Sequence, residues 1–194
     1  SGEADDFTDP SYHLPHFYKV WSWFDKENSS FWKDAVDTSR AYLKRAVHPL
    51  TSLSPDYSKF DGSPLSIWGG TQNNFQYDAW RVAMNVAVDY GWFQEDEWAI
   101  KFSDNLLKFF YSQGIKKYSS LYTLDGKPLN KDHNTGLVAM NAVAAISSSL
   151  NIKKDFLNEL WEVEIPSGQY RYYDGVLYML ALLQLSGNFN IYWN

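Results

Sequence analysis

The sequence predicts an all-α fold, and three observations carry the prediction. Apolar residues recur at spacings of three and four along six or seven separate stretches. No period-two alternation persists anywhere in the chain. Connectors rich in Gly, Pro and Ser separate the periodic stretches, short and long in alternation. That rhythm belongs to stacked helical hairpins and hints at a toroid.

The elements follow in order. Asp9-Pro10-Ser11-Tyr12 reads as an extended or turn segment, after which Phe17, Val20, Trp21 and Phe24 mark a helix over Leu14–Asp25. Ser29-Ser30 offers an N-cap to a second helix, about Phe31–Val47, with Phe31, Ala35, Tyr42 and Ala46 on related faces and Pro49 beyond its end. Leu50–Gln76 holds Pro55, Gly62, Pro64, Gly69 and Gly70 with little periodicity, and a loop of that length inside a compact domain is usually functional. Asp78 opens the third helix, whose stripe is Ala79, Val82, Ala83, Val86, Ala87 and Tyr90. Asp96–Gln113 is the fourth, stopped by Gly114. A second loop, Lys116–Asp132, contains the turn signal Asp125-Gly126. Asn134 or Thr135 caps a fifth helix whose run Leu137–Ala142 is nearly all apolar, which predicts deep burial. Lys153–Val163 and Tyr173–Leu185 complete the set, the last stopped by Ser186-Gly187.

Composition narrows the function. With 194 residues, 45% hydrophobic and 21% charged, the chain fits one domain or a piece of a larger one and is not a disordered segment. Aromatic residues reach 18%, including nine Trp and fourteen Tyr. A core accounts for some of these rings, but each buried phenol needs a partner, so part of the excess points to surfaces that stack flat ligands. Sugars and nucleic-acid bases are the two candidates. The net charge of −6 and the lack of a basic run argue against nucleic acid and favour an uncharged polymer. There is no cysteine, and His13, His16, His48 and His133 form no short metal spacing, so neither a metal nor a cofactor is expected. No apolar run approaches the roughly 20 residues that span a bilayer, and no signal-peptide pattern is present, so no membrane is expected. The start at Ser1-Gly2 reads as a processed or artificial N-terminus, and the compartment stays open between bacterial cytoplasm and export.

Four local features hold candidate chemistry. In Phe75-Gln76-Tyr77-Asp78-Ala79-Trp80-Arg81, the bland role for Asp78 is a helix cap. Against that stand the long loop before it, the aromatics on both sides, and Arg81 three residues on, where a guanidinium can share its face and keep the carboxylate ionised. Tyr170-Arg171-Tyr172-Tyr173-Asp174-Gly175 precedes the last helix, and its bland reading is a helix start with packed tyrosines. Asp9–Pro15 is by itself a proline-punctuated start. Asp132-His133-Asn134-Thr135-Gly136 is a polar loop, where a lone His is more often a surface or hydrogen-bonding residue than a catalyst.

Taken together and in order, Asp9-Pro10-Ser11-Tyr12-His13-Leu14-Pro15, Phe75–Arg81 with Asn85, Gly136–Ala142, Tyr170–Gly175 and Ser186-Gly187-Asn188-Phe189 resemble glycoside hydrolase family 8, in particular its xylanases and reducing-end xylose-releasing exo-oligoxylanases. The resemblance runs over nearly the whole chain. It implies an (α/α)6 barrel and inverting hydrolysis of β-1,4 linkages in xylan or xylo-oligosaccharides. A carboxylic acid there protonates the leaving oxygen while a carboxylate, roughly 6.5–9.5 Å away, activates water. The resemblance assigns the general base to Asp78 and the arginine that holds it to Arg81. It places Tyr12 near the attacking water and makes Tyr77, Tyr170 and Tyr173 sugar contacts. Exo-acting members read the reducing-end sugar with a histidine before the buried helix, and His133 matches that residue. A Leu-His-Pro type blocking segment is not evident in Leu129–His133, so endo and exo action both stay open.

One departure stands out. The family's general acid, a Glu in a Glu-Gly-x-x-Tyr-Gly type segment, has no counterpart in the chain, and neither has a further central Asp. Twelve helices make the barrel; six or seven are legible here. The expectation is therefore the C-terminal half of one catalytic domain, spanning residues 1–194, inactive as an isolated chain. The N-terminal half would be a second chain or segment that covers the open inner helices. The competing expectation is a non-catalytic carbohydrate-binding fragment, or a relative acting on another β-1,4-glucan-type polymer.

Overall fold

The computed structural model describes residues 6–192, the Tyr170 side chain excepted. The described residues form seven α-helices: α1 (Pro15–Phe24), α2 (Ser29–Ala46), α3 (Arg81–Phe93), α4 (Trp98–Gln113), α5 (Thr135–Val143), α6 (Lys153–Glu162) and α7 (Arg171–Leu185). Among the described residues there is no β-strand, only isolated bridges such as Thr8 to Ser58 and Phe75 to Tyr122. No helix of the described residues is long and apolar enough to cross a membrane.

The helices form two layers. α1, α3, α5 and α7 touch in succession as an inner row, and α2, α4 and α6 pack outside their predecessors. This is the arrangement of about half an (α/α)6 barrel. Sequence explains the layering. α5 is Thr-Gly-Leu-Val-Ala-Met-Asn-Ala-Val, and Gly136 through Val143 are all buried, because α3, α6 and α7 surround it. Each large apolar side chain so enclosed contributes about 1.5–3 kcal/mol. The outer helices are amphipathic instead: α4 buries Phe102, Leu106, Leu107 and Phe110 and leaves its charged side in water.

Two starts differ from expectation. Asn28, not Ser29 or Ser30, occupies the N-cap of α2, and its side chain makes no cap bond. Ser29 Oγ donates instead to Ser22 O at 2.7 Å, tying α2 back to α1. Asp78 does not open α3. It lies in a 3-10 turn, Tyr77–Trp80, and Arg81 begins the α-helix proper. The tighter turn frees the Asp78 carboxylate from capping.

A buried ion pair ties α2 to α3. Arg40 Nε and Nη2 donate to the two oxygens of Asp89 at 2.8 and 2.9 Å, and Nη1 reaches Glu95 at 3.1 Å. Lys19 of α1 also pairs with Glu95. Both long connectors are pinned rather than loose: Phe75 and Tyr122 exchange backbone bonds of 2.9 and 3.0 Å, and Thr8 and Ser58 do the same at 2.8 and 2.9 Å. Trp80 Nε1 donates to Ser120 O at 3.1 Å, so the two connectors meet beside the turn that carries Asp78.

Candidate active site

Asp78 stands on that turn with one oxygen held and one facing its neighbours. Oδ2 accepts from Arg81 Nη2 at 2.8 Å. Oδ1 is 3.2 Å from the Tyr173 hydroxyl, which also donates to Tyr77 O at 2.9 Å. Its side chain keeps 32% exposure, enough for a small molecule to reach it. Arg81 is fixed from the other side as well, donating from Nη2 to Ser11 Oγ at 2.8 Å. The guanidinium carbon lies 5.1 Å from the centre of the Tyr12 ring, a cation–π contact.

Tyr12 ends the 3-10 turn Pro10–Tyr12 and is 61% exposed. Asn85 of α3 steadies that segment by donating to Ser11 O at 2.7 Å. Tyr77 is 54% exposed and has φ +37°, in the region that residues with a Cβ avoid. A strained, exposed aromatic beside a carboxylate is a mark of a working surface. Burial, followed by the charge of Asp78, pushes the Tyr173 phenol far above its ordinary range, so it stays a donor.

Two further carboxylates, unassigned by sequence reasoning, crowd the same place. Asp9, Asp56 and Asp78 each bring one oxygen within 4.8 Å of the others. Asp9 caps its 3-10 turn, accepting from Ser11 N at 2.7 Å, and burial raises its carboxyl. Asp56 accepts from Gln76 Nε2 at 3.0 Å, and burial pushes it up to about 6. The three oxygens could surround a cation, but the Arg81 guanidinium already lies 2.8 Å from Asp78 and 3.9 Å from Asp9. Asp9 was visible inside a motif. Asp56, in Pro55-Asp56-Tyr57, carried no signal beyond its place in a long loop.

His133 lies on the other side of Tyr77. A hollow of about 330 Å³ runs there between Tyr77, Trp80, Asn130, Asp132, His133 and Asn134. Its ring nitrogens turn inward: Nδ1 donates to Tyr118 O at 2.9 Å, and Nε2 is buried, 3.6 Å from Glu159 Oε1. The ring thus lines the hollow without offering it a free nitrogen. The Tyr170 side chain lies outside the described residues; its backbone ends the 3-10 turn Gly168–Tyr170 that leads into α7. His16 is buried and His13 half-buried between Thr8 and Ser39; desolvation lowers them to about 3 and about 4, so both are neutral.

The arrangement can activate a water. One carboxylate is anchored by an arginine, opened to the surface by its turn, and flanked by two exposed tyrosine rings.

The profile described as Glycosyl hydrolases family 8 matches residues 1–187. A reducing-end xylose-releasing exo-oligoxylanase, Rex8A of Paenibacillus barcinonensis, is 40% identical over 190 residues, 96% of this chain and 50% of its own length. Endoglucanase A of Acetivibrio thermocellus is 32% identical over 185 residues, 94% of this chain and 37% of its own. A GH8 protein of Teredinibacter turnerae, solved as a xylobiose complex, is 46% identical with a TM-score of 0.92, covering 95% of this chain and 47% of that one. The chain spans about half the length of the curated relatives it matches most strongly.

Proposed function

Because the chain belongs to glycoside hydrolase family 8, we propose that it supplies the general base and part of the sugar cleft of an inverting hydrolase of β-1,4-linked xylan or xylo-oligosaccharides. The observation that carries this is the state of Asp78: Oδ2 is pinned by Arg81 at 2.8 Å while the side chain remains open between Tyr12 and Tyr77. A water resting on that carboxylate loses a proton to it as the oxygen attacks the anomeric carbon. The glycosidic bond breaks, and the leaving oxygen takes its proton from a carboxylic acid on the opposite face. Tyr12, Tyr77, Tyr170 and Tyr173 supply sugar contacts, with His133 beside the adjoining hollow. Three relatives with xylan-type names and a xylobiose-bound neighbour favour xylan over glucan.

The acid belongs to the other half of the family's length, carried on a separate chain or segment. Tyr172, Val176, Met179 and Leu183 support this reading: they recur at helical spacing along α7 and form an exposed apolar stripe. Covering that stripe is the task of the other half.

Asp78→Asn in the assembled protein tests the base. Activity on xylohexaose should fall at least 100-fold, the usual contribution of a positioned base, with the fold intact. Retention of most activity overturns the assignment. Size-exclusion of this chain alone tests the assembly, and a folded, monodisperse monomer of 22.5 kDa would refute it.

A further inference from the structure

Behind Asp78 the site holds more acid than one guanidinium balances. Asp9 and Asp56 are only 5% and 7% exposed, and each has a single satisfied oxygen. Asp9 Oδ2 and Asp56 Oδ1 have no hydrogen-bond partner in the protein, and neither has the Arg81 Nε–H. Two orphaned acceptors and one orphaned donor thus belong to residues that converge on Asp78. Leaving buried polar atoms unpaired is costly, and a set of about three is what a buried water typically satisfies. One oxygen of each of Asp9, Asp56 and Asp78 lies within 4.8 Å of the others, a spacing that a water about 2.8 Å from a pair of them can bridge.

We propose that Asp9 Oδ2, Asp56 Oδ1 and the Arg81 Nε–H enclose one structural water behind Asp78, and that Asp56 is a positioning residue that holds the Arg81–Asp78 pair in place through it. The water accepts from Arg81 and donates to both carboxylates, which fixes the guanidinium plane whose Nη2 grips Asp78. This rests on Asp78 being the group that activates water.

The charges around Asp56 give the role a pH signature. Asp9 faces it from the N-terminal turn and Asp78 from the turn before α3, the charges of both raising it; the Gln76 side chain and the Asp78 backbone N–H lower it. Tyr57 and Tyr173 also face it, and Arg81 stands behind Asp78. Burial is the largest influence and brings it to about 6. Above that pH, Asp56 accepts from the water; below it, the added proton turns the same oxygen into a competing donor, and the clamp on Arg81 loosens.

The test is a pH profile of the complete protein with Asp56→Asn beside the native chain. In the native protein kcat should rise through about pH 6. In the variant, kcat at pH 8 should drop about ten-fold with little change in KM, and the limb near pH 6 should vanish. An unchanged profile overturns the proposal. So does an equal loss at every pH with the limb retained, which is the mark of a merely structural residue. If the variant does not fold, difference infrared spectroscopy of the native protein decides. A protonated-carboxyl carbonyl band that titrates near pH 6 supports the proposal, and its absence above pH 5 overturns it. Asp78→Asn in the same assay separates the two readings: if it stays active, the reading of the base falls; if it is dead while Asp56→Asn keeps the native profile, only this inference falls.

Discussion

Gly136 in the first turn of α5 is where the inner row depends on a missing side chain. A Cβ placed there meets Asp174 Oδ1 at 2.7 Å, Leu177 Cδ1 at 3.1 Å and Trp80 Cζ3 at 3.3 Å. Ordinary contact needs about 3.5 Å or more, so Gly136→Ala forces α7 and the Trp80 turn apart by several tenths of an ångström. Such overpacking costs about 1–3 kcal/mol. Gly136 does not adopt a left-handed backbone, so alanine's helix preference returns up to about 1 kcal/mol. The same shift carries Tyr173 off Asp78, where its bond is already 3.2 Å long. The net expectation is a loss of about 1–2 kcal/mol, with a lower kcat. Denaturant unfolding of the complete protein, paired with xylohexaose hydrolysis, reads both. A stability gain of about 1 kcal/mol with full activity, the outcome of helix preference alone, would refute the packing argument.

Four other outcomes are expected. Tyr173→Phe removes a hydroxyl shared by Tyr77 O and Asp78, and should lower kcat about ten-fold while costing about 1 kcal/mol of stability; steady-state kinetics and calorimetry check it. Arg40→Ala strands the buried Asp89 carboxylate, for a loss of about 3–5 kcal/mol measured by denaturation. Asp56 makes stability depend on pH. Its folded value of about 6 exceeds the unfolded value near 3.9, so its stabilising proton is fully held below the latter and surrendered as pH rises through the former. Asp56→Asn should therefore gain about 1–2 kcal/mol relative to the native protein between pH 5 and pH 8. His13 and His16 act oppositely: burial lowers them, so their neutral packing loses stability as pH falls below about 6.5.

Periodicity alone located every helix within a few residues, because layers of helices need one apolar face each, and α5, apolar all round, declared itself the most enclosed. The pairing of Asp78 with Arg81 was legible from a spacing of three, a separation that serves in a 3-10 turn as in an α-helix. Other parts of the site lie beyond local pattern. Asp56 reaches Asp78 only because the connector of residues 50–76 folds back, and no spacing encodes that. The inward turn of His133 depends on a carbonyl of Tyr118, fifteen residues away. Strain at Tyr77 is likewise a product of the tertiary setting, since the residue type gives no hint of φ +37°.

The Tyr173 hydroxyl closes on Tyr77 and Asp78 across 96 and 95 residues of chain. At synthesis rates of about 5–20 residues per second, on the order of 5–20 s separate the making of the carboxylate from the making of the phenol beside it. Throughout that interval α5 waits without α7, its apolar face uncovered. The site therefore closes only once α7 has been made.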